Sequence, residues 1–497
     1  VVTRDGDGAG DTLLAVQNAL KLGGSLVLTW GVALVMRFWL PRRLGPSLFG
    51  ALSFADAFAA TFFVALSLGF DPYIRKEISV RPSHAGDFFG GTFVLRVGMS
   101  VLVVAAMTIA MIAMRRPAEV RGVVYVFALT QFFVTTNATL SALLQAKGSV
   151  GGMSVLAVAT KILWAAGVVL AVEAGGGLTG VALAYLASES VETAVLYRLA
   201  RRHLGLVFRV DMPATKAVVL LSLPHYVNLI ATTAYGKLDV TLLELEGSSR
   251  EVGWYAAAST IAGFALLVTP LIGWVLMPTL ARAAARSREE LFVRLRRSME
   301  LILSVAVPAA LFLVLCSDLA VRVLFGAAFA PAGPALRVLA ATFVVTYVAI
   351  VFAITLVMLD RTWTLALVSV AGLAVNVTLN LLLVPRALAR LGEGGGGAGC
   401  ALAMLGTELF VSSAMASFVG KGALDRRTVL AVAKTLGACA VVAAFDRLAA
   451  RIGWPRLALD AILYVLVVVV TGALRPGEIA GTLRAALRAR SQAAPSA

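Results

Sequence analysis

Charge is scarce in this 497-residue chain, with Asp, Glu, Lys and Arg together making up 14% of it. A soluble globular protein carries about a quarter charged residues, so that class is excluded. Cysteine is nearly absent. Cys316, Cys400 and Cys439 fall in or beside apolar runs without metal-ligand spacing, which excludes a disulfide framework and a metal site. The three histidines, His84, His203 and His225, have no Ser or Cys partner in a nucleophile arrangement. No Gly-x-x-x-x-Gly-Lys-Ser/Thr loop occurs, which excludes nucleotide hydrolysis by the usual phosphate loop. No stretch between apolar runs is long enough to fold as a domain; the longest runs from Thr279 to Ser298. A membrane glycosyltransferase or polymerase would need a sizeable exposed part for its acceptor. The chain therefore reads as a non-enzyme, with no catalytic residue, resident cofactor or metal. Its start, Val1 to Asp11, is polar and acidic rather than a cleavable signal, and opening on Val is read as a trimmed or partial N-terminus.

What is abundant is apolar sequence. The chain is 60% hydrophobic with a mean hydropathy of +0.91, which a bilayer accepts and water does not. Matching the apolar runs to a spanning length of about 20 residues predicts an all-α polytopic membrane protein of about fourteen helices. They fall near 13–40, 47–69, 87–114, 120–145, 150–172 and 177–199, then 214–244, 253–280, 299–316, 333–359, 361–385 and 398–420. Two more lie near 427–448 and 455–474.

The six-plus-six division rests on an internal repeat. Gly176-Gly177-Leu178-Thr179-Gly180-Val181-Ala182-Leu183-Ala184 leads to Glu189, and Gly395-Gly396-Gly397-Ala398-Gly399-Cys400-Ala401-Leu402-Ala403 leads to Glu408, 219 residues later. A weaker pair, offset by 203, is Leu44-Gly45-Pro46-Ser47-Leu48-Phe49-Gly50 and Glu246-Gly247-Ser248-Ser249-Arg250-Glu251-Val252-Gly253. Two pseudo-symmetric six-helix lobes with a site between them follow from such a repeat, which is transporter architecture. The expected parts are an N-terminal segment 1–12, a first lobe 13–199, a basic linker 200–213, a second lobe 214–420, a last helix pair 421–474 and a basic tail 475–497.

With the N-terminus placed in the cytoplasm, 25 of the 43 Lys and Arg fall on the cytoplasmic side and 13 on the other. This bias predicts that both termini are cytoplasmic. It also accounts for the net charge of +16 through anionic lipid headgroups rather than nucleic acid, for which no binding module is present.

Several of these segments resemble a known family. Arg43-Leu44-Gly45-Pro46-Ser47-Leu48-Phe49-Gly50, Gly69-Phe70-Asp71 and Arg75-Lys76-Glu77-Ile78 are similar to the N-terminal signature of polysaccharide-biosynthesis flippases. Lys237-Leu238-Asp239-Val240, Glu251 to Ala258, Asn376 and Asn380 also fit that family, which belongs to the multidrug/oligosaccharidyl-lipid/polysaccharide exporter superfamily. The resemblance covers most of residues 13–420. It implies a central cavity opening to each side in turn, and a cargo of oligosaccharide on undecaprenyl diphosphate moved from the cytoplasmic to the outer leaflet. It further implies a bacterial inner-membrane location, O-antigen or related polysaccharide export, and polymerase or assembly proteins as partners of a monomer. Lipid II as cargo, a drug/cation antiporter of the same superfamily and a non-transporting membrane scaffold are the alternatives. The twelve helices usual for the antiporters, against fourteen here, weigh against that one.

Charges inside spans are costly and usually face the bundle interior or a water-filled path. Arg37, Arg96, Lys161 and Lys237, on the first, third, fifth and seventh helices, are the candidates for holding diphosphate or acidic sugar. Against this, Arg37 lies near a helix end where it can snorkel, and Lys237 can pair with Asp239. Asn376 and Asn380, at i and i+4, are candidates for sugar hydroxyls or for a neighbouring helix. Asp56, Glu189, Glu192, Asp239 and Glu408 are candidates for coupling to H⁺ or Na⁺, since low dielectric favours the neutral acid and makes protonation reversible. For Glu189 and Glu408, at matching repeat positions, a symmetric hydrogen bond to a neighbouring helix is favoured. Asp71 and Asp239, close to helix ends or a basic neighbour, are read as structural. Pro224, inside the seventh helix, is the candidate hinge; Pro270, Pro278 and Pro308 interrupt the eighth and ninth. Trp30, Trp164, Trp254, Trp274 and Trp363 are expected as interfacial anchors. The last helix pair is read with Lys434 and Asp446 as its charges; in lipid II flippases such a pair forms a groove for the lipid tail, and here a tail groove and a simple peripheral brace are both open. Ile479 to Arg490 predicts an amphipathic surface helix.

Overall fold

The computed structural model describes residues 7–69, 85–146, 150–206, 208–266, 269–420, 422–423, 425–453 and 455–471. The expectations for Asp71, for Arg75 to Arg81 and for Ile479 to Arg490 lie outside them.

Among the described residues every regular element is helical. The first lobe holds α1 (Asp7–Phe63), α2 (Ala85–Ala113), α3 (Ala118–Ala146), α4 (Val150–Glu173) and α5 (Gly177–Leu204). The second holds α6 (Met212–Glu246), α7 (Ser249–Ala265), α8 (Thr269–Arg286), α9 (Arg288–Leu315), a short α10 (Ser317–Phe325), α11 (Gly333–Met358), α12 (Thr362–Leu391) and α13 (Gly395–Val419). The last pair is α14 (Arg426–Leu448) and α15 (Arg456–Thr471). α1 is two helices in one run, because Gly45 breaks it with φ 72° and ψ 170°, a conformation that only glycine adopts without strain. Counting its halves separately, taking α7 with α8 as one interrupted span and setting aside the nine-residue α10, gives six, six and two among the described residues. Nine of the described helical segments are long and apolar enough to cross a membrane unaided. α5 is long enough but falls outside that set, with Arg201, Arg202 and His203 in its last turn.

Local signals explain the boundaries. Ser248 starts α7 by accepting the Glu251 amide at 3.3 Å, and Ser287 starts α9 by accepting the Glu290 amide at 3.0 Å. Each hydroxyl satisfies one of the amides that a helix start leaves open. The glycine runs of the repeat serve close helix packing. A Cβ on Gly180 would meet Ala171 Cβ at 3.1 Å, and one on Gly399 would meet Val384 Cα at 2.8 Å. Backbones approaching this closely gain dispersion contacts that apolar lipid cannot supply.

The repeat is visible in the packing. α3 lies on α5 as α11 lies on α13, α4 on α5 as α12 on α13, and α1 on α4 as α6 on α12. The lobes are joined at the end marked by Gly45, where one apolar cluster runs through both and includes Phe54, Phe58, Trp254, Ala258, Phe325 and Phe329. Toward the opposite end the cores divide. One cluster, with Leu140, Leu143 and Leu196, belongs chiefly to the first lobe, and another, with Leu291, Leu295 and Phe352, belongs to the second. The eighth span follows this division: α7 packs on α1, whereas α8 packs on α9 and α11 of its own lobe.

Candidate functional site

Six of the charged residues singled out from the sequence converge between the lobes. α1 contributes Arg37 and Asp56, α4 Lys161, α5 Glu189 and Glu192, and α6, from the other lobe, Lys237. Lys237 Nζ lies 3.9 Å from Asp56 Oδ2, so its partner is Asp56 and not the expected Asp239. The two residues of α6 are two apart and point to different faces. Gln131 donates to Asp56 Oδ1 at 3.3 Å. Lys161 Nζ stands 4.5 Å from the Trp164 ring centroid and feels the charges of Glu189, Arg37 and Glu192. The Asn137 side-chain amide donates to Glu189 at 2.9 Å, and the Thr160 hydroxyl donates to Glu192 at 3.2 Å. Arg37 is exposed, its guanidinium 5.6 Å from the Phe264 ring centroid of α7. The arrangement holds three cations and three carboxylates, all partly buried except the exposed Arg37, and both lobes contribute to it.

Arg96 is elsewhere. It is 2% exposed and donates to the Leu66 carbonyl at 2.7 Å, the Ser67 carbonyl at 3.4 Å and the Thr139 hydroxyl at 2.7 Å. Its guanidinium serves the carbonyls left open where α1 ends, which places it in the scaffold and not with the other three cations.

A second polar cluster lies inside the second lobe. Asp239, 1% exposed, accepts the Tyr255 hydroxyl at 3.0 Å and the Asn380 amide at 2.8 Å. Asn376 and Asn380 are fully buried, so both amides face neighbouring helices. Asp239 is well inside α6 and not at its end. Glu408, 2% exposed, faces the Tyr235 hydroxyl at 3.5 Å. The repeat-related Glu189 and Glu408 thus each hydrogen-bond a neighbouring helix. Pro224 does not interrupt α6, which continues from Met212 to Glu246. The breaks fall at Gly45 and between α7 and α8.

Other expectations are corrected by burial. Trp164 and Trp254 are 6% and 2% exposed and pack inside the lobes, with Trp254 donating to the Ala328 carbonyl at 2.9 Å. Trp30 and Trp363 are exposed as anchors would be; the Trp274 side chain lies outside the described residues. The last helix pair also buries Asp460, beside the Asp446–Arg456 ion pair, a charge overlooked in the sequence.

Two contacts at the Gly45 end had no single-residue signature. Arg116 bonds Glu244 across the lobes. Glu251 accepts the amides of Gly394 at 2.7 Å and Gly397 at 3.3 Å at the start of α13. The Ser248-x-x-Glu251 spacing is that of a helix start, but the carboxylate reaches a different helix.

The sequence model of the family described as polysaccharide biosynthesis protein matches residues 15–284, more than half of the chain. The chain belongs to that family. Among curated proteins none matches it in sequence. Solved structures match its fold. A lipid II flippase MurJ in an inward closed conformation superposes with a TM-score of 0.68 at 13% identity, covering 92% of this chain and 98% of that one. An inward-facing multidrug resistance MATE family transporter of the MOP superfamily gives 0.58 at 14% identity, over 79% and 98%. The eukaryotic MATE transporter AtDTX14 gives 0.55 at 13% identity, over 84% and 98%. At these identities the likeness concerns the fold. The family member described here is a multi-pass membrane protein with a flippase- and MATE-like transporter fold.

Proposed function

We propose that this protein is a flippase that carries oligosaccharide linked to undecaprenyl diphosphate from the cytoplasmic to the outer leaflet of the bacterial inner membrane, by alternating access. The observation that carries the reading is the placing of Arg37, Lys161 and Lys237 about the carboxylates Asp56, Glu189 and Glu192 in a chain of the polysaccharide biosynthesis family. A diphosphate cannot cross hydrocarbon unaided, and it needs cations that are available rather than locked away. Lys237 and Asp56 are each a little under half exposed, and such a pair is worth roughly 0–1 kcal/mol. A phosphate oxygen replacing Asp56 therefore meets little resistance, while Arg37 supplies two donors in one plane and the lysines point charges. The carboxylates hold the cations together when no anion is present.

Both termini lie in the cytoplasm in this reading, no cofactor is needed, and the protein acts as a monomer alongside a polymerase or other assembly proteins. Coupling to H⁺ or Na⁺ is assigned to Asp239, a carboxylate 1% exposed that accepts from the Asn380 amide and the Tyr255 hydroxyl. The second reading is export of a cation in exchange for an ion, favoured by the three carboxylates in the shared cluster; lipid II is a narrower choice of cargo.

The test is a comparison of cargoes in proteoliposomes. Fluorescent undecaprenyl-diphosphate oligosaccharide, lipid II and an organic cation are offered separately to the same preparation. Movement of the first, faster than the other two, is the expected outcome. Exchange of the organic cation for H⁺ or Na⁺ without lipid movement would replace the flippase with the antiporter.

A further inference from the structure

We propose that Arg116 is a latch that holds the two lobes together at the Gly45 end, and that this end opens only when Arg116 leaves Glu244. The inference rests on the alternating-access reading above and names the contact that such a motion must break.

Arg116 belongs to the first lobe, on the turn between α2 and α3, and Glu244 lies in the last turn of α6 in the second. One guanidinium nitrogen donates to Glu244 Oε1 at 2.8 Å and another to the Glu244 main-chain carbonyl at 2.7 Å. A planar, always-charged group that grips one residue at two points is held in one orientation, as a lysine ammonium would not be. That carbonyl is among the last of α6, where a helix leaves acceptors open and favours a cation. Ser249 donates to the same carboxylate oxygen at 2.8 Å, and the Phe54 ring lies 5.3 Å from the Arg116 guanidinium carbon. The side chains of Arg116 and Glu244 are 19% and 5% exposed, so water competes little for the bond.

The rest of this seam is apolar packing and closely approaching backbone. Gly50 and Gly253, related by the repeat offset of 203 residues, face each other across it. A Cβ on Gly50 would fall 1.6 Å from the Ser249 carbonyl oxygen, and one on Gly253 would fall 2.0 Å from that of Pro46. Main chain meets main chain at these two glycines, within the apolar cluster that runs through both lobes. Two other cross-lobe polar contacts are more exposed: Lys237–Asp56 is nearly half exposed, and Arg42 reaches the Leu324 carbonyl from an exposed position. Arg116–Glu244 is the buried, two-point, charged contact. Once released, Arg116 keeps its Phe54 neighbour within the first lobe, which returns it to the same place when the lobes close.

The experiment reads the seam directly and needs no cargo. Glu173 and Glu393 are exposed, one at the Gly45 end of each lobe. Both are replaced by cysteine and spin-labelled in the full chain with Cys316, Cys400 and Cys439 changed to alanine, and the distance between labels is measured in lipid nanodiscs. With the latch intact, one short separation dominates. Arg116→Ala and Glu244→Gln are each expected to raise the population of longer separations about tenfold, the shift of a modest conformational coupling. Arg116→Lys, which keeps the charge but not the two-point grip, falls between. Unchanged distances in both Arg116→Ala and Glu244→Gln, with the protein folded, would overturn the latch, as would a lysine variant as open as the alanine one. If wild type moves no lipid-linked sugar while the distances respond as stated, the flippase reading falls and the latch stands.

Discussion

Asp56 of the first lobe and Lys237 of the second meet at 3.9 Å, and the Tyr185 side chain feels the charges of Asp56, Arg37 and Glu189 together. The pair is half-exposed and adds little to stability, but its lysine is one of three cations proposed to hold diphosphate. Lys237→Ala should therefore separate function from folding. A charge-assisted hydrogen bond contributes about 1.5–3 kcal/mol, so lipid transfer should slow roughly tenfold to a hundredfold. Thermal stability in detergent should change by less than about 1 kcal/mol. Transfer and melting measured on one preparation check both halves, and a large loss of stability would show that Lys237 is part of the scaffold.

Arg96 should behave in the opposite way. Its removal leaves the carbonyls at the end of α1 and the Thr139 hydroxyl without their donor inside a packed lobe. Arg96→Ala is expected to cost about 3 kcal/mol or more, in the range for a buried charged partner. The measurement is the temperature at which half the purified protein loses monodispersity. Protein as stable as wild type but unable to transfer lipid would return Arg96 to the cavity.

Glu251 is predicted to tie α7 to α13. Its carboxylate accepts the amides of Gly394 and Gly397 where a helix start favours an anion. Glu251→Ala leaves those amides buried and unpaired, at about 1–3 kcal/mol. Hydrogen exchange at Gly394 to Gly397 should rise. Protection equal to wild type would mean that other groups satisfy the loop.

Gly50→Ala tests the seam by sterics instead of charge. The added methyl would overlap the Ser249 carbonyl, which is main chain and cannot swing aside. The lobes must then separate at the Gly45 end, so the spin-label distance described above should lengthen. A distance equal to that of the parent would mean that the seam absorbs the methyl without parting.

Ion coupling has its own test. A gradient of Na⁺ or of H⁺ is expected to accelerate lipid transfer by wild type, and Asp239→Asn should abolish the acceleration while leaving transfer without a gradient. Acceleration that survives in Asp239→Asn moves the coupling site elsewhere, with Glu189, Glu192 and Glu408 next in line.

The fold was largely legible because its signals are periodic and repeated. Apolar runs of spanning length gave the helices, and the paired glycine runs before Glu189 and Glu408 gave the two lobes. The site was legible only in its residue types, since a charge in an apolar run is conspicuous whatever it does. Sequence does not show which face of a helix meets which neighbour. Arg96 and Lys161 look alike in the chain, yet one is spent on the Leu66 and Ser67 carbonyls and the other stands in the shared cluster. Lys237 and Asp239 suggested each other by adjacency, whereas α6 turns them toward different neighbours. Arg116 and Glu244 are 128 residues apart and sit at helix ends, where a charge attracts no notice. Sugar recognition is spread over many cavity side chains, so no local motif encodes the glycan.

The most direct measurement is transbilayer movement of a fluorescent undecaprenyl-diphosphate oligosaccharide in proteoliposomes. It compares wild type with Arg37→Ala, Lys161→Ala and Lys237→Ala, and with Arg286→Ala as an exposed control. Rapid movement by wild type and the control, slowed at least about tenfold by each of the three cluster substitutions, is the predicted result. Movement that persists when all three cations are removed together, in folded protein, would contradict the assignment of the headgroup to this cluster.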